Sequence, residues 1–145
     1  MNRMIYSIQT RRAVLSFFII LSLYLLSACG GGALKGPLNG TAWNLASIDN
    51  NPPIEKTSIS LEFKDGKVGG SSGCNSYGGA YQTNGEKLTM DSIAMTLMAC
   101  EDAGVMEQER IFLEYLQDAQ TFELTDDQLL IFSSGGQSLR FSQIP

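Results

Sequence analysis

From residue 41 onward, apolar and polar positions alternate in short runs separated by turn residues. Trp43 and Leu45 alternate around Asn44, and Ile59, Leu61 and Phe63 alternate strictly with Ser58, Ser60 and Glu62. That period of two marks a strand with one buried face. Asp65-Gly66 follows at once, a pair that tolerates the positive φ of a type I′ hairpin turn, so Lys67 to Ser72 is predicted to return antiparallel. A second turn signal, Asn84-Gly85, separates Tyr77 to Gln82 from Lys87 to Met90, and Ile93, Met95 and Leu97 alternate again after Asp91. Thr121 to Leu124 and Gln128 to Phe132 flank Asp126-Asp127, and Ser133-Ser134-Gly135-Gly136 precedes Ser138 to Ser142. Strands this short with turn chemistry at this interval predict an all-β sandwich or barrel. Trp43, Phe63, Phe122, Phe132 and Phe141 are the aromatic residues expected to point inward.

One segment departs from the rhythm. From about Gly104 to Asp118, Val105, Phe112, Leu116 and Ala119 recur at helical spacing, with Glu107, Arg110 and Glu114 three and four apart on a polar face. Glu101 and Asp102 suit the positive end of the helix dipole. The expectation is a mainly β domain, a small closed or nearly closed antiparallel sheet, with one amphipathic α-helix packed against it.

The first 28 residues read as an address. Arg3, Arg11 and Arg12 precede a 14-residue apolar run, Ala13 to Leu26, that only Ser16 and Ser22 interrupt. A membrane-spanning helix needs about 20 such residues, whereas the apolar region of an export signal runs about 7 to 15. The run ends in Leu26-Ser27-Ala28-Cys29-Gly30, which resembles the lipobox of bacterial lipoproteins. The resemblance implies cleavage after Ala28, a diacylglyceryl group on the Cys29 thiol and further acylation, palmitate for example, at the new N-terminus. Two or more acyl chains hold a protein on a bilayer where one would not. Thr10-Arg11-Arg12 loosely resembles a twin-arginine signal, but the strongly apolar run fits the general secretion route better. With Gly30 rather than Asp at position two of the mature chain, the lipoprotein resemblance implies the outer membrane, facing the periplasm, in a diderm envelope, and the outer face of the plasma membrane in a monoderm one.

Composition narrows the chemistry. The chain has no His, which removes Ser-His-Asp and Cys-His catalysis and the His-based zinc and iron sites. Cleavage would remove three Arg and no acid, leaving seven Lys or Arg against 15 Asp or Glu, a net charge of −8. Such a surface repels phosphate backbones, and nucleic-acid binding is not expected. Residues 29–37 form a Gly-rich tether without periodic hydrophobicity, and residues 38–143 a single domain with no internal repeat.

Gly73-Cys74-Asn75-Ser76-Tyr77-Gly78-Gly79-Ala80-Tyr81, then Ile93-Ala94-Met95-Thr96-Leu97-Met98-Ala99-Cys100 and the Glu-rich helix, resemble the META domain (HslJ-like) family. Its pattern is a Gly-Cys-Asn segment with a nearby aromatic, a Thr-x-Met-x-Cys segment, a Glu-rich helix and closing strands. Leu38-Asn39-Gly40-Thr41-Ala42-Trp43 matches the Gly-x-x-Trp-like opening strand. The resemblance implies a small lipocalin-like barrel, often secreted or lipid-anchored in bacteria, linked to heat-shock response and antibiotic tolerance without an agreed reaction.

Cys74 and Cys100 are the thiols left once Cys29 is lipidated. Outside the cytosol an even pair is first read as a disulfide, with buried free thiols or redox or metal chemistry as alternatives. Met90, Met95, Met98 and Met106 surround Cys100 and would suit Cu(I), although Met at alternating strand positions more often fills gaps in a core. The Gly cluster at positions 69, 70, 73, 78 and 79 lacks the Lys-Ser or Lys-Thr helix start of a phosphate loop and reads as tight bending or bulges. Tyr77 and Tyr81 share a strand face and are read as packing rather than as a pocket lining. No carboxylate pair stands out for glycoside chemistry. The expectation is a monomeric, non-enzymatic lipoprotein without cofactor or metal that works through an envelope protein partner. A small-ligand carrier and an enzyme-inhibitor module are the alternatives.

Overall fold

The computed structural model of the chain describes residues 36–144. Residues 1–28, expected as an export signal, and Cys29 lie outside the described residues. Eight strands run in chain order around a closed antiparallel barrel: β1 Thr41–Ile48, β2 Ser60–Lys64, β3 Lys67–Ser71, β4 Ser76–Asn84, β5 Lys87–Met95, β6 Ala119–Leu124, β7 Gln128–Ser133 and β8 Ser138–Gln143. The helix, α1 Val105–Gln117, lies between β5 and β6. Antiparallel order in a closed ring needs only short hairpin connections, and closure leaves few sheet edges to protect.

The turn chemistry sits where the sequence places it. Asp65 and Gly66 join β2 to β3 with φ of 49° and 78°, both in the left-handed region that a type I′ turn requires. At the next hairpin Asn84 pairs with Lys87, so Gly85-Glu86 forms the two-residue loop, with Gly85 at φ 61°. Gly70 permits the closest strand approach, since a Cβ there would stand 2.1 Å from the Ser60 carbonyl oxygen.

The interior is occupied by side chains. Trp43, Leu61, Phe63, Leu88, Leu129, Ile131, Leu139 and Phe141 are each less than 2% exposed. Tyr77 and Tyr81 are buried as packing residues: Tyr81 meets Phe63 edge-on at 4.7 Å, and Tyr77 meets Phe112 of the helix at 5.6 Å. Burial raises the pKa of the Tyr77 phenol, which stays protonated and donates to the Ser60 carbonyl at 2.9 Å. Phe112 also meets Phe141 edge-on at 6.4 Å. Tyr77 lies on β4 and Phe141 on β8, four strands apart in an eight-strand ring and so on opposite walls. A ring that touches both walls closes the barrel mouth, and α1 is therefore a lid on one end, with Leu116 fully buried beside Phe112.

The other end is closed by the chain's entry. Leu38 is fully buried, and Gly40 N–H donates to Phe63 O while Thr41 Oγ1 donates to Leu38 O. Asn39 Oδ1 accepts from Asp65 N–H across the β2–β3 turn. A Cβ on Gly36 would stand 2.3 Å from Thr83 Oγ1, so ordered packing begins two residues ahead of Leu38.

Two expectations need correction. Phe132 is half-buried on the outer face, because Leu129, Ile131 and Ser133 take the inward positions of β7 and side chains alternate along this strand. The alternation predicted through Leu97 stops at Met95. β5 is one strand from Lys87 to Met95, carried past a register shift opposite Gly78 and Ala80 with Ser92 at φ 54°, and Leu97 beyond it is 91% exposed.

Candidate functional site

The residues of the two Cys segments meet at the helix-capped end. Cys74 and Cys100 are joined by a disulfide, with Cα atoms 6.0 Å apart. Between them Asn75, 1% exposed, acts as a clamp on the 96–98 segment. Its Oδ1 accepts from Thr96 Oγ1 at 2.8 Å and from Met98 N–H at 2.7 Å, and its Nδ2 donates to Met98 O at 3.2 Å. The same Nδ2 donates to Glu109 Oε1 at 2.7 Å.

Glu109 completes the network from the helix. It is 1% exposed, and its Oε2 accepts from Ser72 Oγ at 2.5 Å and from Asn75 N–H at 2.8 Å. Desolvation pushes its carboxyl pKa up, but the hydrogen bonds from Ser72, from the Asn75 side chain and from the N–H groups of Asn75 and Cys74 together outweigh it and hold the pKa below the ordinary value of 4.5. A buried carboxylate with that many donors is kept ionised. Its oxygens are committed to holding the helix against the 72–75 turn.

This clamp has a consequence outside the core. The segment after β5 is pinned by Thr96 N–H to Ser76 O, by the Asn75 amide and by the disulfide, yet Leu97 and Met98 on it are 91% and 57% exposed. A fixed loop thus presents two large apolar side chains to solvent. Glu101 and Asp102 follow them on the same loop and are exposed. Arg110 on the outer helix face bridges Glu107 and Glu114, each at 2.7 Å.

The four methionines do not converge. Met90 belongs to the core, Met95 packs against it, and Met98 and Met106 are exposed, while Cys100 is committed to the disulfide. Among the described residues no group of three or more His, Cys, Asp or Glu side chains comes together as a metal cage.

Sequence reasoning placed Cys74 and Cys100 but missed Glu109, Ser72 and the role of Asn75 and Thr96. A signal was present. The buried helix stripe runs Val105, Gln108, Glu109, Phe112, Leu116, so an acid stands at an apolar position. A charge there needs a partner.

The META domain family model matches residues 36–145, essentially the described unit. No curated protein matches the chain in sequence. Among solved structures, one determined by NMR is 27% identical, covers 72% of this chain and 90% of its own, and superposes with a TM-score of 0.61. An NMR structure of a protein from Burkholderia xenovorans is 24% identical over 74% of this chain and 83% of its own, also with a TM-score of 0.61. A DUF4847 family protein from Bacteroides vulgatus is 17% identical over 73% of this chain and 94% of its own, with a TM-score of 0.52. The two less identical structures speak to the fold alone.

Proposed function

The chain belongs to the META domain family, and on that premise we propose that it is a non-enzymatic cell-envelope lipoprotein whose barrel acts by contact with another envelope protein, as an accessory or stress-related factor. In this reading residues 1–28 direct export and acyl chains on Cys29 hold the domain on a membrane. The observation that carries it is the filled interior. A carrier needs a void of about 300 Å³ or more with converging polar groups, whereas the space between the walls is taken by Trp43, Phe63, Phe112 and Phe141, all less than 2% exposed. Activity by contact instead needs an apolar surface on display, and the pinned Leu97-Met98 pair supplies one.

That pair lies at the end of the barrel away from the chain's entry. Chain entry and Leu38 close one end of the barrel, and α1 with the 97–102 loop closes the other. An inhibitor module that inserts this loop into an envelope enzyme is a variant of the same reading.

The test is site-specific photo-crosslinking in cells, with benzoylphenylalanine in place of Leu97 or of Lys67 in the β2–β3 hairpin. A discrete adduct from position 97 and none from position 67 is expected. No adduct from either, or the same adducts from both, would reject the loop as a contact surface.

A further inference from the structure

Between the 49–54 segment and α1 runs a groove of about 300 Å³, at the helix-capped end of the barrel. Ile48, Pro52 and Ile54 form one wall, and Ile111 with the Tyr115 ring the other. Among the described residues that line it, Asp49 alone carries a charge.

The groove is pre-formed. Gln108 fastens the loop to the helix, its Oε1 accepting from Ile54 N–H at 2.7 Å and its Nε2 donating to Thr57 Oγ1 at 3.2 Å. The Asp49 carboxylate is fixed from both sides, Oδ2 accepting from the Tyr115 hydroxyl at 3.0 Å and Oδ1 from Ser138 N–H at 2.8 Å. That hydrogen bond to Asp49 raises the pKa of the Tyr115 phenol and keeps it a donor. Asp49 and Asn50 form the two-residue turn after β1, closed by reciprocal N–H to O bonds between Ile48 and Asn51, and both have positive φ, 48° and 64°. Glycine is the least strained residue in such a turn. Asp and Asn are also accepted there, and here the acid is held at the end of a mostly apolar groove.

We propose that this groove receives an amphipathic cation, the aliphatic stem and charged head of a lysine or arginine side chain on a partner protein. The inference rests on the reading that the barrel acts by contact. The stem would cover Ile54 and Ile111 while the head reaches Asp49, as long basic side chains do when they bury methylenes and keep the charge on an acceptor. Charge complementarity favours this occupant. Glu114 adjoins Tyr115, Arg110 is taken up by Glu107 and Glu114, and the full chain has a net charge of −5. An acidic side chain or an anionic headgroup would meet repulsion in the same place.

The test follows Ile δ-methyl signals of the protein purified from cells in detergent. The probes are Nα-acetyl-lysine methylamide and its uncharged analogue Nα-acetyl-norleucine methylamide. The lysine probe should shift the Ile54 and Ile111 methyls with an affinity roughly fivefold above that of the norleucine probe, the upper end for an ion pair open to solvent. Asp49→Asn, which keeps the turn and one acceptor oxygen for Ser138 N–H while its amide can donate to a Tyr115 hydroxyl turned to accept, should abolish the preference without moving methyls elsewhere. Equal affinity for the two probes, no shift at Ile54 and Ile111, or a preference that survives in Asp49→Asn would each overturn the proposal. An adduct at position 97 without a lysine preference rejects the groove alone. A lysine preference without any adduct keeps the cation site and rejects the protein partner.

Discussion

Glu109→Ala is expected to lower unfolding stability by about 4 kcal/mol, since it strands two buried donors that cost roughly 1 to 3 kcal/mol each when left unpaired. The groups left behind are one N–H of the Asn75 side-chain amide and the Asn75 backbone N–H, while the Ser72 hydroxyl keeps the Asn75 carbonyl as an acceptor at 2.8 Å. Glu109→Gln keeps the volume but turns an amide donor toward other donors, and about 2 kcal/mol is expected to be lost. The acid limb of the stability curve carries the diagnostic sign. The folded-state pKa of Glu109 lies below its ordinary value of 4.5. Its contribution is therefore complete above that ordinary value and disappears as pH falls through the lower folded one. Urea unfolding of wild type and Glu109→Gln should show a constant gap from pH 8 to about pH 5 that narrows below about pH 4.5. A gap that widens on acidification, or no gap at neutral pH, would contradict the clamp.

Loss of the disulfide ranks next. Replacing Cys74 and Cys100 by Ser reopens a loop with a sequence separation of 26, and the chain-entropy estimate for that length is about 3.5 kcal/mol. The effect should be greatest in the segment that the bond shares with Asn75. Hydrogen exchange of the 96–104 amides should accelerate while β1, β7 and β8 keep their relative protection. Glu109 and the disulfide fasten the same 72–100 region, so their effects should not add: the combined variant is expected to depart from the sum by about 0.5 to 3 kcal/mol. Strict additivity, or exchange that rises evenly over the whole barrel, would show that the bond and the clamp do not act on one local unit.

The strands were legible because their periodicity and turn pairs agree. Ile59, Leu61 and Phe63 alternate up to Asp65-Gly66, and a hairpin hides that face and uses two residues that accept positive φ. Phe132 was misread because Leu129-Leu130-Ile131-Phe132 is apolar throughout, so the run carries no parity. Only the pairing of β7 with β6 and β8 decides which side faces in. Leu97 continues the alternation of Ile93 and Met95, but the strand ends where Asn75 captures Met98 N–H, a long-range contact absent from any local window. Asp49-Asn50 went unnoticed as a turn because neither residue is glycine, and its partner Tyr115 is 66 residues away. The clamp was partly visible. Glu109 on the apolar stripe of a helix is a local anomaly, and what satisfies it comes from the Gly-Cys-Asn segment that the family resemblance had singled out without assigning it a task.

In the proposed reading the barrel is tethered by lipid at residue 29, and the Cys74–Cys100 disulfide crosslinks it. An intact mass spectrum of the protein extracted from cell membranes tests both parts together. The expected species begins at Cys29, carries the added mass of acyl chains, and is lighter than its reduced form by the two hydrogens of one disulfide. A full-length, unacylated chain with three reactive thiols would contradict that reading.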